Sequence, residues 1–327
     1  MKILVTGGAG YIGSQMVRQL LEKNHEVIIL DNLSGGHKDA IPKEARLIVG
    51  DICDRQILVD LFSKNKIEAV MHFAGVISMG ESMENPYKYF YTNTFGALNL
   101  FEAMVKSKVK KLIFSSTAGV YGNPLKIPNK EDEPKNPTNP YGESKLMVER
   151  FLTWYDKIFS LRSISLRYFN AAGADLEGEH GEDHKEETHI IPLAVKAALS
   201  NKEFTIFGQD YKTKDRTCVR DYVHIVDLCQ AHFLALDALV KDHQTDFFNI
   251  GPGIGFSNIE VVEIVKKVSG VDFPVRFGKR RPGDANELVA DSTKIQKEFG
   301  WQPKYSDLRT IVETAWKWHK THPEGYR

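Results

Sequence analysis

Three cysteines in 327 residues, at positions 53, 218 and 229, are too few and too scattered for a disulfide framework or a zinc-ligand pattern. They read as buried free thiols. An excess of one charge is also missing. Lys+Arg and Asp+Glu both number 43, so nothing marks a nucleic-acid or anionic-membrane footprint. No apolar run reaches the ~18 residues of a spanning helix, and the chain passes directly from Met1 into a strand pattern, with no leader or anchor. The expected location is therefore the cytoplasm. Internal repeats, low-complexity tracts and flexible linkers are absent as well.

What the chain does have is glycine in a meaningful place. An apolar run over 2–6 feeds Gly7-Gly8-Ala9-Gly10-Tyr11-Ile12-Gly13, and a helix pattern over 14–22 follows. In the spacing Gly7-x-x-Gly10-x-x-Gly13, one glycine permits a tight turn and one lets the backbone approach a pyrophosphate. The third allows helix and strand to pack closely. The helix N-terminus then presents N–H groups and partial positive charge to the phosphates. A second strand over 26–30 ends in Asp31, where an acid binds ribose hydroxyls. Asp31 would repel a 2′-phosphate, which favours NAD over NADP.

Further strand patterns over 46–49, 69–73, 111–115 and 162–167 alternate with helix patterns over 55–64, 87–106 and 141–155. This alternation predicts an α/β fold: a Rossmann-type, doubly wound parallel sheet. Beyond Asn170 the texture changes. Residues 171–188 are rich in Gly, Asp, Glu and His without periodicity and read as a loop. Helix patterns over 192–199, 225–239 and 258–268, with strands over 205–207, 247–250 and 275–277, predict a smaller mixed α/β C-terminal domain that completes a cleft. The division expected is 1–170 for the dinucleotide, with 219–240 returning to it, and 171–327 for the substrate.

Ser115, Ser116 and Thr117 place hydroxyls at the end of a strand, where open α/β sheets bind ligands. Tyr141 and Lys145 stand at i and i+4 on one helix face. Alone, such a pair usually marks a helix surface. Downstream of a dinucleotide fingerprint it becomes a catalytic candidate. A free phenol titrates near ~10, and a neighbouring ammonium and a cationic nicotinamide are expected to lower that value. Tyr141 then takes a hydroxyl proton as hydride leaves the same carbon, Thr117 bonds or relays to that oxygen, and Lys145 holds the ribose.

With these residues in place, the chain resembles the extended short-chain dehydrogenase/reductases, and within them the UDP-galactose 4-epimerases, over essentially its whole length. The matching segments are Gly7–Gly13, Asp31-Asn32, Asp51-Ile52, His72-Phe73-Ala74-Gly75, Ser115–Gly122, Pro140–Lys145, Arg167-Tyr168-Phe169-Asn170, Gly181-Glu182-Asp183, Val219-Arg220-Asp221-Tyr222 and Arg281-Pro282-Gly283-Asp284. The resemblance implies a nucleotide-sugar epimerase that inverts the 4-hydroxyl of UDP-glucose or UDP-galactose through a 4-keto sugar. NAD stays bound, because the net redox change is zero.

It further implies that Gly7, Gly10, Tyr11, Ile12, Gly13, Asp31, Asn32, Asp51, Ile52, Phe73, Ala74, Gly75, Asn93, Ser115, Tyr141, Lys145 and Tyr168 line NAD. Ser116, Thr117, Tyr141, Asn170, His189, Phe207, Arg220, Arg281, Asp284 and Leu288 line the UDP-sugar. Two arginines suit a pyrophosphate, which they grip with forked, charge-assisted hydrogen bonds.

Dehydratase and decarboxylase relatives carry an acid after the strand-end threonine, whereas Ala118-Gly119 follow here, which favours simple epimerisation. Ile77 stands where many members place a lysine on the ribose, and His189 where some have asparagine. Leu288 is intermediate between the bulky and the small residue that restrict or admit 2-acetamido sugars. UDP-N-acetylhexosamine or UDP-uronate epimerisation and a non-catalytic NAD sensor are the alternatives. His180, His184 and His189 among acidic neighbours read as a solvated loop without a metal. Trp316, Trp318 and His319 are expected to pack a final helix. The aromatic helix start at Tyr87, Tyr89, Phe90 and Tyr91 is expected in the core, with a helical homodimer as the expected assembly.

Overall fold

The computed structural model describes residues 1–281 and 284–326. Pro282 and Gly283, in the middle of the Arg-Pro-Gly-Asp segment, lie outside the described residues. In chain order the elements begin with β1 (Lys2–Thr6), α1 (Tyr11–Glu22), β2 (Glu26–Asp31), β3 (Arg46–Val49), α2 (Arg55–Lys64) and β4 (Ala69–His72). There follow α3 (Met79–Glu84), α4 (Pro86–Tyr89), α5 (Gly96–Lys106), β5 (Lys111–Thr117), α6 (Pro140–Phe159), β6 (Arg162–Tyr168) and β7 (Asn170–Ala172). The remainder is α7 (Ile190–Ser200), β8 (Phe204–Phe207), β9 (Val219–His224), α8 (Ile225–Val240), β10 (Asp246–Ile250), β11 (Gly255–Ser257), α9 (Asn258–Ser269), β12 (Val275–Gly278), β13 (Glu287–Leu288), α10 (Thr293–Phe299) and α11 (Leu308–Thr321).

Seven strands form one sheet in the order β10-β6-β5-β4-β1-β2-β3. The pairs β1–β2, β2–β3, β1–β4 and β4–β5 are parallel. Strand order reverses between β1 and β4, and such switch points hold ligands outside the carboxyl ends of the strands. Leu4, Ile28, Leu30, Val70, Leu112 and Phe114 send side chains to one face, where they bury Leu58, Phe62, Leu100, Phe101, Met104, Val148 and Leu152 of α2, α5 and α6. Side chains alternate along a strand, so the fully buried Ile3, Val5 and Ile29 face the other way, toward Gly8 and α1.

The chain divides into two compact units. The first is Met1–Gly122, Lys135–Arg167 and Cys229–Phe248, and the second is Asn123–Pro134, Tyr168–Leu228 and Asn249–Arg327. The stretch returning to the first unit is thus 229–248, beside the 219–240 expected, and 123–134 groups with the second. In that second unit β9 pairs with β7, β11 and β13, and β8 pairs with β12. Its core comes from Ala194, Val195 and Ala198 of α7, Val261 and Val265 of α9, and Ile311, Val312 and Ala315 of α11.

Several elements depart from the sequence pattern. The stretch 87–106 is not one α-helix: Phe90–Phe95 form a π-turn between α4 and α5. Helix α3, opened by Ser78 accepting from Glu81 N–H, is too short for periodicity to reveal. Strands β11 and β13 and helix α10 are short in the same way, whereas β9 (Val219–His224) mixes charged and apolar residues without a clear alternation. The aromatic cluster splits, with Tyr89 fully buried while Tyr87 and Tyr91 stay exposed. Cys218 and Cys229 are buried, but Cys53 is half-buried, and its thiol is pushed up to about 12 by desolvation and by Asp51. Trp318 and His319 of α11 are buried. Among the described residues no helix is long and apolar enough to cross a membrane.

Candidate functional site

Loops leave the carboxyl ends of the adjacent strands β5, β4, β1, β2 and β3 in the first unit. The turn after β1 takes Gly7 to φ +74°, where a Cβ would lie 2.5 Å from the Ala74 nitrogen. A Cβ on Gly13 would collide with the Gly7 carbonyl. The turn therefore exists only with glycine at both positions. Gly10 is the N-cap of α1 and contributes no side chain, so backbone N–H groups face an open cradle there. That is a fit to a pyrophosphate on its own geometry.

Asp31 closes the second strand with both oxygens engaged: Oδ2 accepts from Ala9 N–H at 2.9 Å and Oδ1 from Leu33 N–H at 2.8 Å. These bonds fix the carboxylate beside the glycine turn. Asn32 Nδ2 donates to Asp51 Oδ2 at 2.8 Å, which ties the ends of β2 and β3, and Ile52 is buried against Gly96. After β4, Phe73 and Ala74 donate backbone N–H to the Thr6 carbonyl. Asn93 lies within contact of Gly75, accepts from Val76 N–H at 2.9 Å and donates to Ser144 Oγ at 3.0 Å. The exposed Ile77 follows that bend.

At the end of β5, Thr117 Oγ1 accepts from Gly119 N–H at 3.0 Å, and its hydroxyl meets the Tyr141 phenol. Asn139 caps α6 by accepting from Gly142 N–H, which starts the helix where Tyr141 and Lys145 share a face. Lys145 Nζ donates to the Ser115 carbonyl at 3.0 Å and lies 5.0 Å over the Phe114 ring. Burial lowers its ammonium to about 8. Burial pushes the Tyr141 phenol up and outweighs the Thr117 hydrogen bond. The Thr117 and Tyr141 hydroxyls thus meet in a buried corner, with Lys145 one helical turn along α6.

Ser116 does not join them. Its side chain is fully buried and its hydroxyl donates to Glu149 Oε1 at 2.6 Å. Glu149 is clamped by Arg167 through bonds of 2.9 and 2.7 Å, and Arg167 also donates to the Tyr121 hydroxyl at 3.0 Å. Sequence reasoning missed this pair, because a Glu on α6 and an Arg on β6 read as surface charges until the helix is laid on the sheet. Ser115 turns its hydroxyl to His232 Nε2 at 3.2 Å.

The second unit gathers its own polar set. Asn170 Nδ2 donates to the Asp221 carbonyl at 2.9 Å. Arg220 lies 3.4 Å from Asp284 Oδ1, Tyr211 donates to Asp284 Oδ2 at 3.1 Å, and Arg280 stacks 4.0 Å over the Tyr211 ring. Arg281 stacks 4.3 Å over Phe207, which is partly exposed. Leu288 ends β13 in register with Arg220, and Tyr168 ends β6. Asp221 is fully buried. Its Oδ2 accepts from Gly253 and Ala290 N–H, while burial raises the carboxyl to about 7.

The His-rich stretch over 180–189 is a loop solvated only in part: Lys185, Glu186, Thr188 and His189 are exposed. His180 and Glu182 are buried, and Glu182 Oε1 pairs with His184 Nδ1 at 3.3 Å and with His189 Nδ1. Glu182, His184, Glu187 and His189 hold their polar atoms within 4.8 Å of one another. Two carboxylates balance two imidazoles, so the cluster reads as an ion-pair network.

Residues 3–251 match the NAD dependent epimerase/dehydratase family. The chain belongs to that family. A relative from Lactobacillus helveticus, UDP-glucose 4-epimerase, is 49% identical over 327 residues, which is 100% of this chain and 99% of that one. A crystal structure of UDP-glucose 4-epimerase superposes with a TM-score of 0.97 at 46% identity, covering 100% of both chains. The UDP-glucose 4-epimerase of Bifidobacterium longum, solved in complex with NAD+ and UDP, superposes at 0.94 with 35% identity and 100% coverage of both. The fold is that of these NAD-dependent epimerases, and the cofactor is NAD.

Proposed function

We propose that the chain interconverts UDP-glucose and UDP-galactose by inverting the sugar 4-hydroxyl through a transient 4-keto sugar. The observation that carries this reading is the buried contact of Thr117 with Tyr141, one helical turn from Lys145, with Ala118 and Gly119 next along the chain. Elimination of water needs an acid beside the reacting carbon, and the nearby Glu149 is neutralised by Arg167. Simple epimerisation needs only a hydroxyl base and a relay. When bound, NAD supplies the hydride acceptor and donor for C4, together with a positive charge that favours the Tyr141 phenolate.

Gly7, Gly10, Tyr11, Ile12 and Gly13 cradle the diphosphate of NAD, Asp31 and Asn32 hold its adenosine ribose, and Asp51 and Ile52 flank the adenine. Phe73, Ala74, Gly75, Asn93, Ser115 and Tyr168 line the nicotinamide side. Tyr141 takes the 4-hydroxyl proton, Thr117 bonds the same oxygen, and Lys145 holds the ribose. Asn170, His189, Phe207, Arg220, Arg281 and Asp284 grip UDP, which leaves the hexose free to turn, and Leu288 limits the room beside the sugar. Ser116 stays outside this set, because it is fully buried and Glu149 takes its hydroxyl.

The first experiment incubates purified protein with UDP-galactose and follows the sugar protons by NMR, without and then with added NAD. Appearance of UDP-glucose supports the reading, and silence in both conditions overturns it. A panel of UDP-N-acetylgalactosamine and UDP-glucuronate measures how far Leu288 restricts the sugar.

We also assign a homodimer and a cytoplasmic location. Tyr87, Tyr91 and Phe95 form an exposed stacked ladder with centroid spacings of 5.7 and 5.2 Å, and Trp154, Ile158 and Phe159 of α6 are exposed too. Exposed apolar faces of this kind are covered by a partner. Sedimentation of a Trp154→Lys variant as monomer, against a dimeric parent, tests the assembly, and cell fractionation tests the location.

A further inference from the structure

Four side chains of metal-ligating type fall within one short stretch, Glu182-Asp183-His184-Lys185-Glu186-Glu187-Thr188-His189. Glu182, His184, Glu187 and His189 each place a ligating atom within 4.8 Å of those of the other three. The separations are those of a coordination shell. His184 Nδ1 lies 3.3 Å from Glu182 Oε1 and 3.5 Å from Glu187 Oε2, and His189 Nδ1 lies 3.7 Å from Glu187 Oε1. Nitrogen and oxygen ligands of a tetrahedral zinc, held at about 2.0–2.2 Å, stand about 3.3–3.6 Å from one another. His189 Nδ1 and Glu182 Oε1 are closer, bridged by a hydrogen bond.

One oxygen of the set is buried without a donor. The Glu187 side chain is 5% exposed. Its Oε1 accepts from Thr188 and His189 N–H at 2.8 and 2.9 Å, whereas its buried Oε2 accepts no hydrogen bond. Such an oxygen is costly in a folded chain unless something meets it, and a bound ion is one such partner. The backbone beneath is pinned. Trp318 Nε1 donates to the Glu182 carbonyl at 3.2 Å, the Tyr326 hydroxyl accepts from Gly181 N–H at 3.1 Å, and Asp175 Oδ1 accepts from His180 N–H at 2.6 Å. At the other end His189 begins α7, and its ring is 45% exposed, which leaves one side open for an ion to enter.

Charge decides what this set can take. Desolvation opposes charge on both rings, yet Glu182 and Glu187 prevail, so that His184 is raised to about 10 and His189 is raised as well. The ion-pair network is therefore the proton-loaded form of the cluster. Exchanging its two ring protons, which pass to solvent, for one divalent cation leaves the buried charge unchanged. The low-dielectric surroundings thus do not oppose the exchange. Two imidazoles with two carboxylates suit zinc, whereas magnesium and calcium favour shells of oxygen.

We propose that Glu182, His184, Glu187 and His189 form a zinc site that fastens the stretch 182–189 to the start of α7. With all four positions filled by the chain itself, the ion has no open place for a reacting group, and its work is to hold the fold. Each ring binds through Nδ1, and the Glu187 oxygen that lacks a donor gains the cation as its partner.

NAD-loaded protein, stripped of metal with a chelator and dialysed, tests the inference. Calorimetric titration with zinc chloride is expected to show one site per chain, and cobalt(II) in its place is expected to give the visible absorption of a tetrahedral ion. Zinc at about a hundredfold above its Kd should raise Tm by about 4 °C. His184→Gln and Glu187→Gln, neither of them assigned to the reaction, should each bind zinc about a hundredfold more weakly and lose the cobalt spectrum. Glu187→Gln keeps an oxygen to accept from Thr188 and His189 N–H, so that variant is expected to fold and to retain NAD, and its loss of zinc reports the second oxygen alone. Magnesium should bind far more weakly than zinc. No zinc binding by the parent, a Tm that zinc does not move, zinc affinity retained by either variant, or magnesium bound as tightly as zinc overturns the inference.

Discussion

The substitution Arg167→Met probes the buried pair beneath the catalytic strand. Arg167 and Glu149 side chains are 3% and 2% exposed, and the guanidinium also stacks 4.8 Å over Phe247 and 5.3 Å over Tyr121. Methionine fills much of the volume but leaves Glu149 a buried anion whose remaining partner is the Ser116 hydroxyl. Breaking a buried ion pair from one side costs about 3–5 kcal/mol. With a urea slope of about 3 kcal/mol per molar for a chain of this size, the midpoint should fall by about 1.3 M. The loss is local in origin, so amide exchange in β5 and β6 should accelerate before that in α7 or α9. Ser116 precedes Thr117, so epimerisation should fall as the strand end loosens. Glu149→Gln with Arg167→Met removes both charges and should recover most of the lost stability. Urea unfolding by circular dichroism at fixed saturating NAD measures all three proteins. A midpoint for Arg167→Met within about 0.3 M of the parent, or a double variant no better than the single, refutes the reasoning.

Tyr141→Phe should lower kcat about 10³-fold while UDP affinity, carried by other residues, stays within twofold by calorimetry. Gly13→Ala should yield protein that releases no NAD on denaturation, because the new Cβ meets the Gly7 carbonyl; normal NAD content read by absorbance would contradict this. NAD affinity should fall as pH rises through about 8, where the buried Lys145 discharges, and Lys145→Met should be weak and flat over the same range. Asp221, raised to about 7 when folded, binds its proton more tightly in the folded state. Its burial therefore costs nothing below the unfolded value near ~3.9 and progressively more between there and 7. Asp221→Asn should accordingly gain on the parent in urea midpoint as pH rises through that window, and a constant difference would count against a buried charge.

Local signals sufficed where one short segment carries its own constraint. Gly7 and Gly13 announce a turn that no side chain permits, Asp31 follows at the end of the next strand, and Asn139-Pro140 opens the helix that sets Tyr141 and Lys145 one turn apart. Strand–helix alternation likewise prescribed the parallel sheet, because a helix between successive strands carries the chain back to begin the next strand in the same direction. The long-range partnerships were decided by packing alone. Glu149 and Arg167 meet only because α6 lies across β6, and that pairing withdrew Ser116 from the substrate set. Tertiary burial strips the Tyr141 phenol of water and pushes it up, an effect no i, i+4 spacing encodes. Residues 180–189 carry no periodicity, yet Trp318 and Tyr326, more than a hundred residues away in sequence, fold over them and turn an acidic, histidine-rich loop into an ordered ion-pair network. Local sequence sets dihedrals and the chemistry on offer, while desolvation and ion pairing depend on which distant chain arrives, and that is settled only when the core closes.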